Sequence, residues 1–163
     1  MQKERWQAGV TWAEALRTLY EEGVKLSFEQ WGAGDATTYL ANNTLTEANY
    51  VDPISDYGGN VNAVSNITIK WDDSATDEQK MERLITQKWI AMFPNGQEGW
   101  SEIRRTGYPK VFPLAQSTDY SIQVANRIPF DIDEATNNKA NYIKAVQMLK
   151  GNDDYATKMW WQR

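Results

Sequence analysis

The sequence predicts a mainly α-helical fold with long loops and at most a small β-hairpin. Two capping boxes, Thr11 to Glu14 and Thr76 to Gln79, each open a run in which apolar side chains return every three or four residues. Two further runs have the same spacing and stop at glycine or proline. Strand-like alternation is confined to one short stretch, residues 66–71.

Taken in order, Leu16, Leu19, Tyr20, Gly23, Val24, Ser27, Phe28 and Trp31 mark one face of a first helix over 12–31, which Gly32 and Gly34 end. The chain to about Ile69 is rich in Asn, Thr, Asp and Gly and includes Asp56-Tyr-Gly-Gly-Asn60. It reads as a long excursion with a few short turns or strands, and connections of that length usually carry function. A second helix covers 77–93, with Met81, Leu84, Ile85, Trp89, Met92 and Phe93 on one face and Pro94 as its stop. A third covers 96–105, capped by Asn95 and broken by Thr106-Gly-Tyr-Pro109. After a turn-rich connection to Pro129, a fourth helix covers 133–149, and Gly151 terminates it. Residues 155–161 read as a closing helical turn.

No repeat or linker divides the 163 residues, which predicts one body with no internal boundary over 1–163. A long amphipathic helix begins almost at the first residue, as expected of a chain that starts inside a larger protein.

Composition excludes several chemistries. With neither Cys nor His, the chain offers no disulfide, thiolate, imidazole base or Cys/His metal site, so Ser-His-Asp and Cys-His catalysis are out of reach. A net charge of -5 without a like-charge block argues against nucleic-acid and anionic-membrane partners. No apolar run is long enough to span a membrane or serve as a signal peptide. Aromatic residues are abundant, with eight Trp and eight Tyr, and these side chains suit both cores and flat ligand surfaces.

Three ordered stretches carry a family resemblance. The first is Gln87-Lys-Trp-Ile-Ala-Met-Phe-Pro-Asn-Gly-Gln-Glu-Gly-Trp-Ser-Glu-Ile-Arg-Arg-Thr-Gly-Tyr-Pro109. The second is Arg127-Ile-Pro-Phe130 with Glu134, Asn138, Asn141 and Tyr142 behind it, and the third is Thr157-Lys-Met-Trp-Trp161. Together with Tyr20 to Trp31 they resemble the SusD/RagB family of outer-membrane nutrient-binding lipoproteins. The matching family positions are Trp89, Trp100, Arg104, Arg105, Gly107, Tyr108, Pro109, Arg127, Pro129, Trp160 and Trp161. The resemblance implies a SusD-like helical fold, of which this chain is the C-terminal portion. It also implies capture of a glycan at the cell surface without catalysis, and delivery to a SusC-like TonB-dependent transporter. Family members are longer and carry a secretory signal, a lipid-accepting Cys and tetratricopeptide-like helices, so membrane attachment is expected only through a lipid anchor outside this chain.

Each candidate residue has a plainer alternative. Arg104 and Arg105 could clamp an anion, but at a helix end arginines more often satisfy carbonyls and neighbouring acids. Glu98 and Glu102 lie four apart on one helix face, and Asp131, Asp133 and Glu134 crowd a helix start. A glycosidase needs acids on opposite sides of a bond, so a carboxylate-based glycoside hydrolase fragment is the rival rather than the leading reading. A peptide-binding or purely structural lid on the transporter is the other rival. Residues 72–78 are rich in oxygen ligands but lack the glycine and distal Glu of a calcium loop, and the expectation is no cofactor, with calcium a weak reservation. Trp31, Trp89, Trp100 and Trp160 fall on apolar helix faces and are expected in the core. Trp71, Tyr57 and Tyr50 lie in the polar excursion, either as core or as platforms for sugar rings, with Asn60, Asn62 and Asp56 positioned to bind hydroxyls.

Overall fold

The computed structural model describes residues 12–53, 59–112 and 124–162. Thr11 of the first capping box and the candidates Asp56 and Tyr57 lie outside them. Helix α1 (Trp12–Trp31) ends where Gly32 and Gly34 take positive φ, a region open to glycine at no steric cost. It turns Tyr20 and Val24 inward, while Leu19 stays 61% exposed, so the predicted apolar face is wider than the contact it makes. Asp35 Oδ1 accepts from the amide and hydroxyl of Thr37 and opens the short α2 (Thr37–Leu40). Tyr20, Val24, Ala36 and Trp71 form the buried cluster, with Phe28, Tyr39, Leu40 and Leu84 packed around it.

Among the described residues the excursion contains no strand, only an antiparallel bridge between Tyr50 and Val61. The strand expected over 66–71 is instead irregular chain with bends at 69–70 and no partner strand. Its polar groups go elsewhere: Thr68 O accepts from Arg83 Nε at 2.9 Å, Ile69 O from the Tyr20 hydroxyl at 2.5 Å, and Lys70 N donates to Asn42 O at 2.7 Å. Helices on either side thus satisfy backbone that a sheet would otherwise pair.

Helix α3 (Asp77–Ala91) begins with the complete capping box, in which Thr76 Oγ1 accepts from Gln79 N and the Gln79 side chain accepts from Thr76 N. Helix α4 (Gly96–Thr106) is capped by Asn95 and closed by Gly107, whose φ of 79° and N–H to Ile103 O make a left-handed C-terminal cap. The bonds preceding Pro94 and Pro109 are cis. The single fourth helix expected over 133–149 is instead two, α5 (Ile132–Asn137) and α6 (Lys139–Leu149). Asn138 breaks it because its side chain bonds both neighbours locally, donating to Glu134 Oε2 and accepting from Asn141 Nδ2. The segment expected as a closing helical turn has bends at 155–156, irregular chain at 157–159 and a turn only at 160–161. Helix α1 packs on α3, α3 on α4, and α5 on α6.

Candidate functional site

Two arrangements meet in this chain, a fastened frame and an open cavity. The frame is built from the stretches that the sequence singles out. On α4, the Arg104 guanidinium lies 3.5 Å from the centre of the Trp100 ring and 4.8 Å from that of Trp161. Two indole faces on one cation hold the end of the chain against α4. Arg104 Nη1 also donates to Asn126 O, and Trp100 Nε1 donates to Ala125 O at 2.6 Å. Asn126 donates from its backbone to Tyr155 O and from its side chain to Ala156 O, and its Oδ1 accepts from Gln162.

Arg127, 6% exposed, pairs with Asp153 at 2.6 Å and lies over the Phe130 ring. Burial opposes ionisation of Asp153, but Arg127, the Phe130 amide and the Tyr142 hydroxyl outweigh it and hold the carboxyl below its ordinary pKa. Glu102 is buried, and its carboxylate takes Arg105 Nη2 at 2.7 Å and Lys88 Nζ at 3.0 Å. The hydrogen bond from Arg105, opposed by burial and aided by Lys88, keeps its pKa low. Thr106 Oγ1 donates to Glu102 O and accepts from Tyr108 N, which turns the chain into the buried Pro109. Arg104 and Arg105 are therefore committed to structure.

The cavity, about 440 Å³, opens between the excursion, α3 and residues 109–112. The excursion gives Leu45, Ile67 and Ile69, the 109–112 segment gives Val111 and Phe112, and α3 gives Ile90 and the 42% exposed Trp89. Trp89 is placed by Gly99: a Cβ there would come within 2.9 Å of Trp89 Nε1, so only glycine lets α4 approach the indole this closely. Arg83, Thr86, Gln87, Tyr39, Glu47 and Lys110 supply polar groups to the wall. A mostly apolar concavity with a few placed polar groups is the usual form of a small-ligand site.

Of the expected sugar platforms, Trp71 is 7% exposed and stacks on Tyr20 with ring centres 5.2 Å apart, so its face is taken by the core. Its indole N–H donates to Asp73. Tyr50 is half exposed and lies 6.1 Å from Phe112, next to the cavity but not lining it. Asn60 accepts from Asp52 N, and Asn62 is exposed. None of the four tryptophans expected in the core is among its buried residues: Trp160 is 92% exposed, Trp31 stands against Phe93 at the surface, Trp89 lines the cavity, and Trp100 is half-buried against Arg104. Tyr39, Gln87 and Phe112 were missed by sequence reasoning. The polar run Arg83, Thr86 and Gln87, spaced three and four apart on an amphipathic helix, was the available signal.

Among the described residues, the acids singled out by the sequence are not brought together as an opposed pair. Glu102 is in ion pairs, Asp131 Oδ1 accepts from the Asp133 amide, and Glu134 accepts from Asn138. Asp72 likewise accepts from the Ser74 amide and hydroxyl, and among the described residues no acidic cluster is placed to hold a metal ion. No helix of the described residues is long and apolar enough to cross a membrane.

A family model described as SusD-like, SusD and RagB outer membrane lipoprotein, matches residues 4–162. Among solved structures, a SusD-like protein from Bacteroides thetaiotaomicron is 45% identical, with a TM-score of 0.77 over 90% of this chain and 31% of its own. A chitin-binding SusD homologue from Flavobacterium johnsoniae is 43% identical, with a TM-score of 0.77 over 89% of this chain and 31% of its own. A SusD homologue from Bacteroides uniformis is 42% identical, again at 0.77, over 90% and 31%. The chain thus spans about a third of the length of these solved relatives. No curated protein matches it.

Proposed function

Because the chain belongs to the SusD-like family of outer membrane lipoproteins, we propose that it serves to hold a glycan at the cell surface and pass it to a SusC-like TonB-dependent transporter. The cavity with Trp89 on its wall is the observation that carries the reading. An indole face complements the apolar face of a pyranose ring, and the fixed frame keeps that wall preformed. The relative described as chitin-binding supports a carbohydrate ligand. In this reading the protein is attached by a lipid and cleaves nothing. The commitment of Glu102 to ion pairs, Asp131 to a helix cap and Glu134 to a hydrogen bond from Asn138 supports binding without bond breakage, since hydrolysis needs two carboxyl groups facing each other across the substrate.

Affinity electrophoresis of the chain through gels containing a panel of polysaccharides, with a parallel assay for reducing ends, tests this. Retardation by at least one glycan without release of reducing ends is expected. Steady release of reducing ends overturns the non-catalytic reading. Failure of every glycan to retard the protein overturns glycan capture and leaves a structural lid.

A further inference from the structure

One charge on the cavity wall lacks a counter-charge. Arg83 on α3 is 5% exposed, and its hydrogen bonds go to Thr68 alone: Nε donates to the carbonyl oxygen at 2.9 Å, and Nη2 reaches Oγ1 only at 3.5 Å. Nη1 is buried out of reach of water and has no partner among the described residues. Leaving water costs a charge far more than a neutral polar group, so a buried guanidinium is ordinarily paired with an acid. The acids of this region are already taken. Glu82 accepts from Ser65 Oγ at 2.7 Å on one oxygen and from Lys110 Nζ at 3.2 Å on the other, and Glu47 Oε2 accepts from the Val64 and Ser65 amides at 2.7 and 2.8 Å.

The wall also leans positive in a chain of net charge -5, since its described residues set Arg83 and Lys110 against the single carboxylate of Glu47. The Lys110 side chain is 42% exposed, and its ammonium has protons beyond the one given to Glu82. Resting on the reading of this cavity as the glycan site, we infer that it selects an acidic sugar, a uronic acid unit whose carboxylate is the counter-ion that Arg83 lacks. The planar guanidinium sets Nη1 and Nη2 side by side, an edge that fits two carboxylate oxygens. Nη2 is free to join because its contact with Thr68 Oγ1 is long for a hydrogen bond. The apolar face of the ring lies on Trp89, and Lys110 adds a second cation. Leu45, Trp89 and Ile90 of the same wall are 60, 42 and 47% exposed, so little packing resists the small opening that seats the acid against Nη1. A neutral sugar leaves the guanidinium unpaired, and that difference is the source of selectivity.

Isothermal titration calorimetry on the 163-residue chain at low salt tests the inference, with the trimers of galacturonate, glucuronate and mannuronate, each beside its methyl ester, and with a capped triglutamate peptide. At least one uronate trimer is expected to bind about tenfold or more tightly than its ester, the ratio expected from one hydrogen-bonded charge pair. Arg83→Gln should abolish that ratio. Because Arg83 also holds Thr68 O, two further variants leave it untouched at the exposed Leu45. Leu45→Lys should tighten the acid trimer about threefold and Leu45→Glu weaken it about threefold, with the ester unmoved. Far-UV circular dichroism establishes which variants are folded. Esters that bind as tightly as the acids, or a ratio unchanged by folded Arg83→Gln, overturn the acidic-sugar inference and leave glycan capture intact. So does failure of every uronate trimer to bind a chain that polysaccharide gels do retard. A preference for the acid that neither Leu45 variant moves overturns the assignment to this cavity. Peptide binding in place of all the sugars overturns both readings.

Discussion

The tightest requirement on any one residue falls at Gly99, where a methyl group has no room beside Trp89 Nε1. Gly99→Ala is expected to destabilise the chain by about 1–3 kcal/mol, as overpacking does, because indole or helix must move. Urea unfolding gives the cost, and a shift in tryptophan emission reports the displaced ring. At this scale the sequence was informative where chemistry is local. The last-turn arginines of α4 could be read as helix-end residues, and they are: Arg105 returns to Glu102 one turn back. Trp71 could not be read, because what buries it is Tyr20, 51 positions earlier on another helix. Its immediate neighbours, Lys70 and Asp72, are polar and leave core and platform equally open. Trp160 failed in the other direction, since helical spacing was assumed for a segment that is not helical.

Among the elements, α3 carries both the cavity wall and Lys88, so its start sets how well both are held. Thr76→Ala removes one side of the capping box, leaving the Gln79 amide without its acceptor. A loss of about 1 kcal/mol is expected from urea denaturation, the ordinary value of an N-cap side chain. Helices α1, α3 and α4 were legible because their signals act within a few residues: a cap, a 3–4 spacing and a glycine or proline stop. The 66–71 stretch was not, because Arg83 and Tyr20, from two different helices, decide where its carbonyls bond. Asn138 misled for a subtler reason. Its position suited the apolar face by count, while its amide bonds across the break to Glu134 and Asn141.

For the molecule as a whole, the buried acids set the response to acid. Glu102, held low first by Arg105, and Asp153, held low by Arg127 against burial, both have folded pKa values below their ordinary ones. A depressed carboxyl contributes stability above its unfolded pKa of about 4, and that contribution is lost as pH falls through the lower folded value. The urea midpoint should therefore fall between pH 5 and pH 2.5 or so. Glu102→Gln should be less stable than the parent at pH 6 and approach it at the acid end. A pH-independent gap between the two proteins would show that Glu102 acts through packing alone. The overall arrangement was legible as helices and loops, and the resemblance in the 87–109 and 127–130 stretches located the frame. The cavity was hidden, since its walls come from four separated segments that only the fold brings together. Trp100, Arg104, Arg127 and Trp161, which fasten the frame, contribute nothing to that wall. Trp89 and Pro109 belong to both the motif and the wall, whereas residues 45, 67, 87 and 112 line the cavity without fastening the frame, so on the proposed reading these four are the ones to randomise in a display library with the scaffold left unedited.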